Sequence, residues 1–242
     1  MGVWTVTVFT ERAAVRRVGS SQLPPATSLP SGSSMVVGRE GDLQLGVDPL
    51  DTRVSRRALA IEAAGTEWNL RVLNTNGAVI HPWGLRAYPV SPSPEQADYA
   101  ETLHWPRIGV RILGGTDLIH WVLLQSTDPA VQIRSLSAAA GPGKVAASGT
   151  GTEVAPAPKE LSPKQLEALR TVFEPQLAWP PSLQPPRQLK QAATRMNIGY
   201  TAVQSHLDAA RQRALATGLP ESVSALQPEC LYTLVAAGLV RP

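Results

Sequence analysis

One cysteine, Cys230, is all that the chain contains, so no internal disulfide can staple it. Phenylalanine occurs twice and charged residues make up 17% of the 242 positions. A core must therefore come from aliphatic side chains and the six tryptophans, Trp4, Trp68, Trp83, Trp105, Trp121 and Trp179. No apolar run approaches the roughly 18 residues that a membrane-spanning helix needs. The chain also lacks a basic N-terminal stretch followed by an apolar segment, since Met1-Gly2-Val3-Trp4 leads straight into a strand-like run. These absences predict a cytoplasmic protein, long enough for two ordinary domains with buried cores.

Charge of one sign is also missing. The formal net charge is +3 and the pI about 9.3. Residues 1–134 carry 12 Lys or Arg against 12 Asp or Glu, and residues 160–242 carry 8 against 6. Bulk electrostatics thus gives no argument for a nucleic-acid partner. The elements of catalysis are equally sparse. His81, His104, His120 and His206 are scattered without metal-ligand spacing, and each reads as a surface histidine or a hydrogen-bonded core histidine. Cys230 sits among Leu226, Leu231 and Leu234, as a buried inert thiol would. Gly114-Gly115 precedes no helix, so it is not a phosphate-binding turn. The expectation is a protein that is not an enzyme and takes no cofactor and no metal.

What is present divides at a stretch of Ser, Ala, Gly, Pro and Thr between Ser135 and Glu160, which is too poor in large apolar residues to offset its ordering entropy and reads as a flexible linker. Before it, short β-branched or aromatic runs recur at Trp4–Phe9, Met35–Val37, Ala58–Glu62, Trp68–Leu73, Ile108–Leu113 and Ile119–Leu124. Trp4–Phe9 alternates with the period of two that a half-buried strand requires. Proline- and serine-rich stretches at Ser20–Ser34 and Ser91–Gln96 read as loops. Residues 1–134 are therefore predicted to form an all-β sandwich. After the linker the period changes. Ser162-Pro163-Lys164-Gln165 combines an N-cap serine, proline at the first helical position and glutamine at the capping-box position. A second helix is predicted from near Pro186, carrying Leu189, Ala192, Ala193 and Met196, with a tight turn at Asn197-Ile198-Gly199. A third, capped by Thr201, places Val203, Leu207, Ala210 and Ala214 on one face. A last helix covers Glu229 to Ala237. Residues 161–242 thus read as an all-α domain containing a helix-turn-helix.

Three clusters in the β half carry chemistry: Val36-Val37-Gly38-Arg39-Glu40, Val54-Ser55-Arg56-Arg57-Ala58 and Leu73-Asn74-Thr75-Asn76-Gly77. A phosphate offers about two negative charges and three acceptor oxygens, so its receptor needs a guanidinium, hydroxyl donors and backbone amides on converging loops. Arg39, Ser55, Arg56 and Thr75 supply that set. The order and spacing of the clusters resemble the forkhead-associated (FHA) domain, whose pattern is Gly-Arg, then Ser-x-x-His, then Asn-Gly preceded by Ser or Thr. The resemblance covers residues 1–134, with its specific motifs between positions 38 and 77. It implies a sandwich that binds a phosphothreonine protein or peptide made by a Ser/Thr protein kinase. Arg39, Ser55, Arg56 and Thr75 would meet the phosphate and Asn76 the peptide main chain. Ala58 stands where the family has a histidine that props up the binding loop, and Ala78 follows Asn-Gly where threonine is commonest. An under-braced loop is therefore expected, which Ala58→His would tighten if the surroundings leave room.

In the helical half, Asn197 through Leu207 resembles the DNA-reading unit of the LuxR-type and sigma-factor region-four families, over residues 161–216. That resemblance makes Tyr200, Thr201, Gln204 and Ser205 the base readers and Arg195, Arg211 and Arg213 the phosphate contacts. With so small a basic excess in one domain, useful affinity for double-stranded DNA is expected to need a homodimer. The combined expectation is phosphothreonine-dependent signalling with a transcriptional output. Its alternative is an adaptor whose helical domain binds protein.

Overall fold

The computed structural model describes residues 3–12, 23–93, 98–115, 117–128, 131 and 160–242. The predicted linker, apart from Glu160, lies outside the described residues, as do positions 20–22 and 94–96 of the two predicted loops. The chain forms two compact units, the first built of strands and the second of helices.

The strands are β1 (Trp4–Arg12), β2 (Thr27–Ser28), β3 (Ser34–Gly38), β4 (Leu43–Gln44), β5 (Leu59–Ala64), β6 (Glu67–Val72), β7 (Ala78–Pro82), β8 (Tyr88–Val90), β9 (Tyr99–Leu103), β10 (Arg107–Ile112) and β11 (Leu118–Ser126). They build two sheets, one ordered β2-β1-β11-β10-β7-β8 and the other β4-β3-β5-β6-β9. Their inner faces carry the alternation legible in the sequence. Trp4 and Val6, Ile61 and Ala63, Trp68, Leu70 and Val72, and Ile108, Val110 and Ile112 are all buried in one apolar cluster. Trp4 and Trp68 meet edge to face with ring centroids 4.5 Å apart, joining a strand of one sheet to a strand of the other. Burying each such side chain contributes roughly 1.5–3 kcal/mol.

Each of the six predicted runs overlaps a strand. The five further strands have 2 to 5 residues, and one of them, β2, falls inside a stretch read as loop. β9 (Tyr-Ala-Glu-Thr-Leu) lies at a sheet edge and buries only Leu103, so it has no apolar signature to read.

The helices are α1 (Pro163–Val172), α2 (Glu174–Leu177), α3 (Leu189–Met196), α4 (Tyr200–Ala216) and α5 (Pro228–Ala236). At α1 the Gln165 amide donates to Ser162 Oγ at 3.3 Å and the Ser162 amide to Gln165 Oε1 at 2.8 Å, the reciprocal box read from the sequence. The α3 helix begins at Leu189 rather than near Pro186. The N-cap of α4 is Gly199, which corrects the assignment of Thr201 as cap and places Thr201 in the first turn. Between α3 and α4, Asn197 adopts the left-handed region at φ 52°, and the Ile198 amide donates to the Ala193 carbonyl. Val203, Leu207, Ala210 and Ala214 of α4 are fully buried against Leu169, Phe173, Ala192, Cys230 and Leu231. Burial pushes the Cys230 thiol up to about 11 against the opposing pull of Arg211, which leaves it protonated and unreactive near neutral pH. Among the described residues, no helix is long and apolar enough to cross a membrane and no group of acidic, histidine or cysteine side chains could hold a metal ion.

Candidate functional site

The turn after β3, the loop of residues 45–58 and the turn between β6 and β7 converge at one end of the sandwich. Gly38 allows the first approach, because a Cβ there would collide with the Arg56 carbonyl and stand 2.7 Å from the Ala58 nitrogen. The Arg39 amide then donates to the Ser55 carbonyl at 3.2 Å and the Glu40 amide to the Arg56 carbonyl at 2.8 Å. Arg39 Nε donates to the Val54 carbonyl at 2.7 Å, which fixes the guanidinium and leaves its two terminal amino groups to other partners.

The third segment joins through a buried side chain that the sequence reading passed over. Asn74, with no exposed surface, accepts from the Ser55 amide through Oδ1 at 2.9 Å. Its Nδ2 donates to the carbonyls of Gly77 and Leu113, each at 2.8 Å. Three of its four hydrogen-bonding positions are thereby used on three different segments. The Gly77 amide donates back to the Asn74 carbonyl at 2.8 Å and closes the turn. On that turn, the Thr75 amide donates to Ser55 Oγ at 3.2 Å, which leaves the Ser55 hydroxyl proton for an outside acceptor. Asn76 Nδ2 donates to the Arg53 carbonyl at 2.8 Å, which leaves Asn76 Oδ1 for another donor.

Arg39, Ser55, Arg56, Thr75 and Asn76 are thus brought together by their own backbones. Thr75, Asn76 and Arg56 are exposed, while Arg39 and Ser55 are half-buried. Arg56 Nε lies 3.4 Å from Glu40 Oε1 with both side chains mostly exposed, an ion pair of little strength that a doubly charged anion can displace. Ala58 is fully buried. Its amide donates to Val37, and its carbonyl accepts from Leu73 and Asn74, so it is part of the core and not an open socket for an imidazole.

In the helical unit, Tyr200, Thr201 and Ser205 are exposed along the start of α4 and Gln204 is half-buried. Gln204 Nε2 donates to Asp208 Oδ1 at 3.0 Å. Two of the three arginines are engaged within the chain. Arg195 pairs with Glu174 at 2.9 Å and Arg211 donates to the Val223 and Glu221 carbonyls at 2.6 and 2.5 Å, whereas Arg213 Nε is buried without a hydrogen-bond partner. An open groove between α4 and the segment before α5 is lined by Gln204, Asp208, Arg211, Ser222, Ser224 and Leu226.

Several solved structures are similar to the N-terminal half. The FHA domain of the CT664 protein from Chlamydia trachomatis is 16% identical over 51% of this chain and 96% of that one, with a TM-score of 0.29. The FHA domain of human APLF, in complex with an XRCC1 bisphospho peptide, is 20% identical over 49% of this chain and 96% of that one, with a TM-score of 0.32. The FhaA FHA domain, complexed with the intracellular domain of Rv3910, is 23% identical over 50% and 99%, with a TM-score of 0.29. No family model and no curated protein matches the chain.

Proposed function

We propose that the sandwich is an FHA domain that binds phosphothreonine peptides produced by a Ser/Thr protein kinase, and that it works as a recognition module and not a catalyst. The observation that carries this reading is the seating of Arg39. Its Nε is anchored on the Val54 carbonyl and its free amino groups share one loop cluster with the Ser55 hydroxyl, Arg56, Thr75 and Asn76. A phosphate dianion needs that combination of a fixed guanidinium and neutral donors. Arg39→Ala is expected to weaken phosphopeptide binding by about 2–4 kcal/mol. Calorimetric titration of a phosphothreonine peptide and its unphosphorylated twin tests both points, and equal binding of the two peptides defeats the reading.

For the helical unit, the engagement of Arg211 favours the adaptor form, in which this unit binds protein. Arg211 is held by two carbonyls of the chain itself, and Asp208 puts a negative charge beside Gln204 where DNA phosphates would approach. The competing form is a transcriptional regulator reading DNA through Tyr200, Thr201, Gln204 and Ser205. Three phosphate contacts would give it a slope of log affinity on log salt of roughly −3. Fluorescence anisotropy of the full chain on genomic fragments, with and without phosphopeptide over a salt series, separates the two. Salt-dependent, sequence-selective binding would reinstate the regulator.

A further inference from the structure

The loop of residues 45–58 carries Ser55 and Arg56, yet Ala58 offers no side chain to brace it. The bracing comes from Asp51, whose side chain is 7% exposed. Asp51 Oδ1 accepts from the Arg53 amide at 3.0 Å, within the loop. Oδ2 accepts from the Gly115 amide at 2.5 Å, in the turn between β10 and β11, and faces His120 Nε2 of β11 at 2.9 Å. The carboxylate can only accept, so Nε2 carries the proton. The other ring nitrogen, Nδ1, lies 2.9 Å from the Thr10 hydroxyl of β1 and in the neutral ring accepts its proton. His120 is completely buried, and both of its nitrogens are satisfied. Gly114 is part of the fit, since a Cβ there would collide with Asp51 Oδ2 and stand 2.9 Å from His120 Cδ2. Burial by itself would raise the Asp51 carboxyl, but the Gly115 amide, His120 and the Arg53 amide together hold it below the usual carboxylate range.

From Asp51 the support passes directly into the candidate site. The Arg53 amide is held by the carboxylate, and the Arg53 carbonyl seats Asn76. The Val54 amide donates to the Asp51 carbonyl at 3.1 Å, and the Val54 carbonyl seats Arg39 Nε. We infer that Asp51 and His120 are positioning residues for phosphopeptide binding: they anchor residues 51–55 to β11 and β1, and so hold the two carbonyls on which Arg39 and Asn76 rest. The inference builds on the phosphothreonine reading above and supplies the brace that Ala58 lacks.

The test uses the full chain, a fluorescent degenerate phosphothreonine peptide library and its unphosphorylated counterpart. Wild type, Arg39→Ala, His120→Leu, His120→Gln and Asp51→Asn are titrated with the active fraction fitted. Thermal midpoints and amide exchange at Arg53 and Ser55 are measured alongside. His120→Leu and Asp51→Asn are expected to lower affinity about tenfold in the fraction that is folded, with faster exchange at Arg53 and Ser55. His120→Gln, which keeps an N–H for Asp51, is expected to recover affinity to within about threefold of wild type. Wild-type affinity in folded His120→Leu overturns the inference. If that variant does not fold, Asp51→Asn decides, and wild-type affinity there overturns it equally. Equal losses in His120→Leu and His120→Gln, with no selective change in exchange, indicate a merely structural role and also overturn it. A wild type that fails to distinguish the two libraries brings down the phosphothreonine reading itself, with the inference, and is recognised because it does not depend on any brace variant.

Discussion

In the sandwich, Arg39 gives one N–H to the Val54 carbonyl and keeps its terminal amino groups. In the helical unit, Arg211 gives Nε to Val223 and a terminal nitrogen to Glu221. Both arginines stand where a motif places a phosphate contact, and both touch main-chain carbonyls. The number of donors consumed differs, and so does the purpose. One contact orients Arg39 toward the loops that converge on it, whereas two hold the segment before α5 against α4. Of five guanidinium N–H groups each arginine keeps at least three, so what separates them is where the main chain aims the rest.

The largest effect expected from breaking this contrast is at Asn74. Asn74→Ala strands the Ser55 amide and the Leu113 carbonyl and takes one of two donors from the Gly77 carbonyl, which keeps the Leu113 amide, and it is expected to cost about 3–4 kcal/mol of sandwich stability and abolish phosphopeptide binding. Urea unfolding and peptide titration measure the two losses separately. Retention of binding would show that Arg39 needs no organised turn opposite it.

A second contrast lies within one sheet, between two histidines. His120 has a partner at each nitrogen, while His81 Nε2 is buried without one, and burial with the nearby Arg111 lowers the His81 pKa to about 4. A depressed folded value means that the unfolded chain takes up the proton first. The stability tied to neutral His81 is therefore fully present above about pH 6.5 and is lost as pH falls toward about 4. The loss is on the order of 2–3 kcal/mol. Denaturant midpoints across that window should show it, and His81→Leu should flatten the profile.

Arg211→Ala sharpens the comparison from the helical side. It is expected to destabilise the helical unit by about 1–2 kcal/mol, because the Val223 and Glu221 carbonyls lose their donor, and to leave DNA anisotropy unchanged at every salt concentration. A fall in DNA affinity without a fall in stability would return Arg211 to the role of a phosphate contact. The smallest effect belongs to Ser162→Ala, which removes half of the α1 capping box and should lower the helical unit's stability by about 1 kcal/mol while leaving peptide binding untouched. Thermal melts followed by circular dichroism suffice to check it.

The strands with clear alternation, the capping box at Ser162 and the buried stripe of α4 were all legible because each is a local pattern whose period or spacing encodes its geometry. Arg39, Ser55, Arg56, Thr75 and Asn76 could be named because their motifs keep order and spacing along the chain. Asn74 stood inside one of those motifs, but nothing local shows that its amide faces inward. The edge strands β2, β4, β8 and β9 escaped notice because their partners, and not their own side chains, make them strands. Asp51, His120 and Thr10 are spread over 110 residues, and no spacing rule links a loop aspartate to a histidine of β11.

By itself, then, the sequence determined an all-β unit followed by an all-α unit and named the side chains suited to a phosphate. Only the tertiary structure decided what those side chains touch, one main-chain carbonyl for Arg39 and two for Arg211, and which distant groups meet the loops that carry them. The physical reason is that a hydrogen-bonding group is assigned by whatever donor or acceptor folding brings within about 3 Å of it, and that neighbour is set by the pairing of sheets and loops far apart in the chain.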